Sequence, residues 1–198
     1  MIPPPLDDNL KMQDVSKLWS QGPEDDGYDP DVDCSKVTGY NPCELTWIAA
    51  PTGIFRAGAL KSFMSSHTVQ NDGWGVIDDI KMGWKNKLGW EPKKRNASFT
   101  MELKNTSKDI KVVTLMYLKS YGEKWANSTA RFTLRDMGSL NQTVSRDLVG
   151  YHESKTSIGY TERIVLPASI PKGSTMQLRV ELVDGTTFKI SGMMFCSW

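Results

Sequence analysis

Between residues 97 and 136 the chain alternates apolar and polar side chains with a period of two. Phe99, Met101 and Leu103 alternate with Thr100, Glu102 and Lys104, and Ala130, Phe132 and Leu134 alternate with Thr129, Arg131, Thr133 and Arg135. Such a period puts one face of a strand in a core and the other in water. Between these two segments, residues 110–118 are apolar on both faces, the pattern of a central strand in a sandwich. The run Asn-Thr-Ser-Lys-Asp at 105–109 supplies the turn before it. Downstream, one or two short strands are expected around 140–144 and 148–151, a strand over 160–166 and a turn over 167–173. Met176, Leu178, Val180 and Leu182 then oppose Gln177, Arg179 and Glu181, and Phe188 and Ile190 resume the alternation to Phe195. Asp184-Gly185 between them is a preferred two-residue turn, so a hairpin is predicted. Seven or more short strands separated by turn signals indicate an all-β fold, an antiparallel β-sandwich of jelly-roll or immunoglobulin-like type.

The first third of the chain has a different texture. Residues 1–44 read as a Pro-rich and acidic linker, because Pro3, Pro4 and Pro5 favour an extended conformation. Asp7, Asp8 and Asn9 can cap a short helix carrying Leu10, Val15, Leu18 and Trp19. Asp29, Asp31 and Asp33 alternate as at the start of a calcium loop, yet the glycine expected next is missing and Tyr40 holds the place of the closing glutamate. The segment is therefore read as solvated linker. From residue 45 to 198 the chain is read as the β-sandwich domain. Its opening stretch is rich in Trp and Gly, with a short strand expected over 45–50 and helical spacing in Ala57, Leu60, Phe63 and Met64. An irregular N-terminal segment and one or two short helices thus accompany the strands.

Composition narrows the class of function. The 198 residues carry 24 Lys and Arg against 23 Asp and Glu, which leaves no electrostatic footprint for nucleic acid. The longest apolar run, 110–118, is far short of the roughly 20 residues that span a bilayer. Four Asn-x-Ser/Thr triplets, at Asn96, Asn105, Asn127 and Asn141, fall at predicted turns or strand ends, where roughly one would arise by chance. They point to N-glycosylation and to the secretory pathway, with the protein secreted, lumenal or at the cell surface. Cys34, Cys43 and Cys196 allow one bridge and leave one thiol. A Cys34–Cys43 bridge would close a short loop, whereas Cys196 with either partner would tie the last strand to the entry segment and constrain the unfolded chain more. A bridge using Cys196 is favoured, and the partner is left open. The start of the chain has neither a charged nor an apolar leader region, so a longer precursor is expected.

No catalytic constellation accompanies this framework. The two histidines, His67 and His152, are far apart, no Gly-x-Ser-x-Gly elbow is present, and the cysteines and histidines lack zinc spacing. His152 reads as an exposed loop residue and His67 as a residue at a helix end. Asp78-Asp79 reads as a solvated turn, since adjacent strand residues point to opposite faces. No phosphate-cradling or dinucleotide glycine motif appears. The expectation is no cofactor, no metal and no catalytic residue in this chain. Trp74, Trp84, Trp90 and Trp125 are the candidate contacts to a glycan, through stacking of their rings on sugars.

Three short motifs carry a resemblance. Leu88-Gly89-Trp90, the Tyr117-Leu-Lys-Ser-Tyr-Gly122 segment, and the ending from Phe188-Lys189-Ile190 to Cys196 resemble the C-terminal β-sandwich of SGNH/GDSL-type hydrolase-like proteins of algae and protists, over roughly residues 43–198. The nucleophile block of that family and its Asp-x-x-His block are absent, so no catalytic residue is carried over. The resemblance implies a hydrolase portion upstream, with the Pro-rich start as connector. The function expected is a non-catalytic secreted or lumenal glycoprotein module, binding a polysaccharide or glycan or serving an upstream hydrolase domain. A hydrolase, esterase or glycosidase, acting on cell-surface polysaccharide through His152 or His67 is the alternative. A structural surface protein that self-associates through sheet edges is the second.

Overall fold

The computed structural model describes residues 43–49, 57–78, 88–138 and 142–197. The expected helix near residues 10–19, the acidic segment, Cys34, Asp79, Trp84 and Asn141 lie outside them. Within these residues eleven strands and one α-helix follow in chain order: β1 (Cys43–Ile48), α1 (Ala57–His67), β2 (Thr68–Asp72), β3 (Trp74–Asp78), β4 (Leu88–Pro92), β5 (Ser98–Leu103), β6 (Ile110–Lys119), β7 (Thr129–Asp136), β8 (Thr143–Val149), β9 (Ile158–Ile170), β10 (Met176–Asp184) and β11 (Lys189–Cys196).

Two antiparallel sheets face one another. One has the order β2-β5-β10-β7-β8, the other β3-β4-β11-β6-β9, and β1 also pairs with β11. From β4 onward the chain changes sheet at every connection except β7 to β8. Its eight strands thus form β4-β11-β6-β9 against β5-β10-β7-β8, the double-layered jelly-roll arrangement of the β-sandwich. The alternation in the sequence generates the two inner faces. Phe99 and Met101 of β5, Ala130, Phe132 and Leu134 of β7, and Leu178 and Val180 of β10 are buried against Val113 and Leu115 of β6 and Ile190, Met193 and Phe195 of β11. β6 lies between β11 and β9, which accounts for its apolar run.

The outward face of the five-stranded sheet is polar in register. One row across it reads Asp72, Ser98, Glu181, Arg131 and Asp147; the next reads Gln70, Thr100, Arg179, Thr133 and Ser145. Opposite charges therefore meet as direct cross-strand partners, and Arg131 grips Asp147 with two hydrogen bonds of 2.7 and 2.8 Å. Thr100 stands between Gln70 and Arg179 in this row and is buried despite facing outward.

Two expectations change. The strands predicted on either side of Asp184-Gly185 exist, but they do not form a hairpin: β10 pairs with β5 and β7, and β11 with β4, β6 and β1. The turn carries the chain from one sheet to the other. Gly185 has φ 77°, and a Cβ there would lie 2.8 Å from Ser128 Cα, so the site accepts only glycine without movement. The turn expected over 167–173 is shorter, because β9 continues through Pro167 to Ile170. Proline is tolerated there since β9 is an edge strand. The side chain of Gln142 caps this irregular stretch, its Nε2 donating to the Ala168 carbonyl (2.7 Å) and its Oε1 accepting the Ala168 N–H (3.1 Å). Of the one or two short strands expected around 140–144 and 148–151, the described residues hold a single one, β8.

The expected bridge through Cys196 is formed with Cys43. The two residues are direct partners in the β1–β11 register, so the bond joins the first described strand to the last. Glu91 and Lys189, flanking the Trp90–Ile190 register pair of β4 and β11, form an ion pair of 2.5 Å with side chains only 2% and 3% exposed.

Candidate functional site

Three of the four tryptophans proposed as sugar contacts are core residues. Trp74 and Trp90 are each 4% exposed and Trp125 is 8% exposed. Trp74 and Trp90 meet Phe99 edge-on, with ring centroids 5.0 and 6.0 Å apart. A sugar stacks on an open ring face, and these rings have given theirs to the core. Their indole N–H groups, like that of Trp47, find no acceptor among the described residues, which marks these side chains as apolar bulk.

The exposed aromatic surface is made of tyrosine instead. Tyr121, Tyr151 and Tyr160 are 41%, 36% and 39% exposed, and all lie around the end of β6. Ser120 joins the segments that carry Tyr121 and Tyr151. Its N–H donates to the Gly150 carbonyl (2.9 Å), its carbonyl accepts the His152 N–H (2.9 Å), and its backbone forms an isolated bridge with Tyr151. Its hydroxyl meets that of Ser157 at 2.8 Å, fixing the loop 151–157 across the site. Gly150 is needed for this approach, since a Cβ there would fall 2.5 Å from Ser128 Oγ. In the β6–β9 register, Lys119 stands opposite Ile158 and Tyr117 opposite Tyr160. Tyr121 follows directly on Ser120, beside a short 3-10 turn at Glu123–Trp125.

An aromatic row runs from the core out to this surface. Phe132 meets Phe188 at 5.9 Å, Phe188 stacks on Tyr117 at 5.4 Å, and Tyr117 lies 6.1 Å from Tyr160. Lys119 Nζ lies 4.4 Å from the centre of the Tyr160 ring and 5.9 Å from that of Tyr117. Burial pushes the Tyr117 hydroxyl above its usual range, and the negative charge of Glu162 and the neighbouring Tyr160 add to the rise. Arg146 on β8 reaches Glu162 on β9 at 3.9 Å. The surface thus offers three ring faces or edges, hydroxyls and an ammonium group on a rigid support.

The histidines lie in different places. His152 is half-buried rather than exposed, and its Nε2 is shielded without a partner among the described residues. His67 ends α1 as expected, its ring tilted against that of Phe63 with centroids 4.6 Å apart. Its Nδ1 donates to the Phe63 carbonyl (2.9 Å), which also accepts from Ser66 Oγ (2.8 Å), so both side chains close the last turn of their own helix. They line a groove of about 410 Å³ together with Glu44, Glu102 and Lys104. Glu44 is held by the Ser107 N–H and hydroxyl, and Glu102 by Lys104 and Gln177. Among the described residues no three His, Cys, Asp or Glu side chains gather as a metal would require.

The three described sequon asparagines share one conformation. Asn96, Asn105 and Asn127 are exposed with φ of 57°, 50° and 59°, the left-handed turn geometry that asparagine tolerates better than other residues with a side chain. No helix among the described residues is long and apolar enough to cross a membrane.

No protein-family model matches the sequence, and no curated protein sequence matches it. Solved structures share a partial likeness. The cycloalternan-forming enzyme from Listeria monocytogenes aligns at 8% identity over 65% of this chain, with a TM-score of 0.40, and this chain spans only 11% of that enzyme. The K2 cleaved adhesin domain of Lys-gingipain aligns at 11% identity over 83% of this chain and 94% of its own, with a TM-score of 0.44. A family 6 carbohydrate-binding module from Clostridium cellulolyticum, solved with xylose, aligns at 10% identity over 67% of this chain and 93% of its own, with a TM-score of 0.42. Likenesses of this depth place the chain in no family.

Proposed function

We propose that the chain is a carbohydrate-binding β-sandwich module that contacts its glycan through Tyr121, Tyr151 and Tyr160. The observation that carries this reading is the gathering of the well-exposed aromatic side chains among the described residues at one end of β6. Tyrosine pairs an apolar face with a hydroxyl, the combination that a sugar with its C–H faces and hydroxyl edges matches. The module is non-catalytic in this reading, and an upstream hydrolase is the partner it would hold to its substrate. The exposed turn asparagines Asn96, Asn105 and Asn127 would carry N-glycans. The Cys43–Cys196 bridge fits an oxidising, secretory environment.

Affinity electrophoresis through gels containing a panel of plant, algal and microbial polysaccharides tests the assignment. Retardation by at least one polymer is expected, weakened about three- to tenfold by Tyr121→Ala or Tyr151→Ala, and unaffected by Trp74→Phe. Binding that survives loss of both tyrosines, in variants with unchanged melting temperature, would remove the site. Hydrolysis of a polymer by the purified chain would return the reading to an enzyme.

A further inference from the structure

We propose that the tyrosine surface takes an anionic glycan, one bearing carboxylate or sulfate groups on its rings, with Lys119 as the residue that recognises the negative charge. The inference rests on the glycan-binding reading above and adds the class of ligand.

Lys119 differs from the other well-placed lysines. Lys94 pairs with Asp72, Lys104 with Glu102 and Lys189 with Glu91, whereas Lys111 donates to the Pro167 carbonyl. Lys119 instead lies over the rings of Tyr160 and Tyr117 and meets no carboxylate among the described residues. The rings fix the ammonium in place and cannot take up its three N–H donors. A held cation with donors to give, beside faces on which a sugar can stack, is a receptor for an acidic substituent.

The surrounding charges agree with this assignment. On the same face of the β6–β9 pair, Glu162 aligns with Leu115, two positions beyond the Tyr117–Tyr160 pair. That places it roughly 13 Å along the strand from the Lys119 position, with Tyr160 between them and Arg146 beside it. The one carboxylate on that face is thus offset by its own cation. Glu123 and Lys124 follow Tyr121, and Glu153 and Lys155 follow Tyr151, so each flanking segment carries one charge of each sign. Among the described residues no carboxylate compensates the ammonium at the centre.

The test is affinity electrophoresis of the full chain in four gels: polygalacturonate, its fully methyl-esterified form, a sulfated galactan, and the same galactan without sulfate. Retardation by at least one acidic polymer is expected, at least tenfold stronger than by its neutral counterpart. Lys119→Met should lower it about ten- to hundredfold, toward the neutral level, while Lys119→Arg retains most of it. The first pair of gels isolates a carboxylate and the second a sulfate, and a preference within either pair supports the proposal. Equal binding within both pairs, unchanged in Lys119→Met, overturns the anionic class and leaves the tyrosine surface standing. Acidic binding that persists in the Tyr121→Ala/Tyr151→Ala variant shows diffuse charge attraction and overturns it as well. Absence of binding in all four gels by folded protein, confirmed by its melting curve, overturns it too, and the wider polysaccharide panel then decides the glycan reading separately.

Discussion

Replacing Lys189 by methionine keeps the length of the side chain and removes its charge. Glu91 would then sit 2% exposed with no ammonium opposite it. Desolvating a carboxylate is what makes a broken buried pair expensive, typically about 3–5 kcal/mol. Against a total folding free energy of about 5–15 kcal/mol for a domain, such a loss would shift the urea midpoint far to the left or leave the protein partly unfolded at rest. Removing both partners reverses the argument. In Glu91→Leu/Lys189→Met both charges of this pair are gone, and the double variant should regain most of the loss, as well-packed apolar replacements of buried pairs do. The measurement is urea unfolding of the four members of this cycle, each at low salt and in 1 M NaCl. A buried pair lies beyond effective screening, so the coupling energy should be nearly the same in both. The reasoning fails if Lys189→Met costs under about 1 kcal/mol, or if the coupling collapses in salt. Either result would place water at the pair, whose net worth would then be that of a surface ion pair.

The remaining predictions concern the bridge and the outer face. Closing a loop of 153 residues withholds enough entropy from the unfolded chain to be worth about 5 kcal/mol. Cys43→Ala/Cys196→Ala in a Cys34→Ser background should therefore lower stability by up to that amount and raise the denaturant slope, as urea titration would show. No change in either would mean that the bridge constrains nothing. On the five-stranded sheet, the hydrogen bonds from Arg131 hold the Asp147 carboxyl below its ordinary range. A depressed carboxyl contributes stability above its unfolded value, near 3.9, and that contribution is lost as pH falls through the lower folded value. A side-chain NMR titration should show Asp147 protonating at lower pH in the parent than in Arg131→Met.

The parts of the fold visible in the sequence are those where one face meets the core and the other meets water. β5, β7 and β10 are such strands, and their polar positions also form the matched rows of the outer face. The partners of those strands were not visible. Asp184-Gly185 is good turn chemistry for two strands in one sheet, and the same glycine serves a passage between sheets, because a turn constrains φ and not the identity of the neighbour. β2, β3 and β4 were hidden by their composition: the burial of both faces of β4 leaves no alternation to read. The candidate site shows the same limit. Tryptophan looks like a sugar platform wherever it occurs, yet Trp74 and Trp90 fill the core. The tyrosines that are exposed owe it to position, immediately beyond the end of β6 or on the edge strand β9. The sequence signal available was modest: Tyr121 and Tyr151 each border a glycine at a strand end.

The bond between Cys43 and Cys196 also determines how the domain carries load. Both sulfurs lie at the ends of neighbouring strands, so tension applied to whatever flanks these two residues passes from one to the other through the bridge. The 153-residue loop between them, roughly 500 Å of contour if drawn out, bears none of that force. The sandwich cannot be unravelled by pulling along this path, and it would sit in a stretched chain as a bead of fixed length.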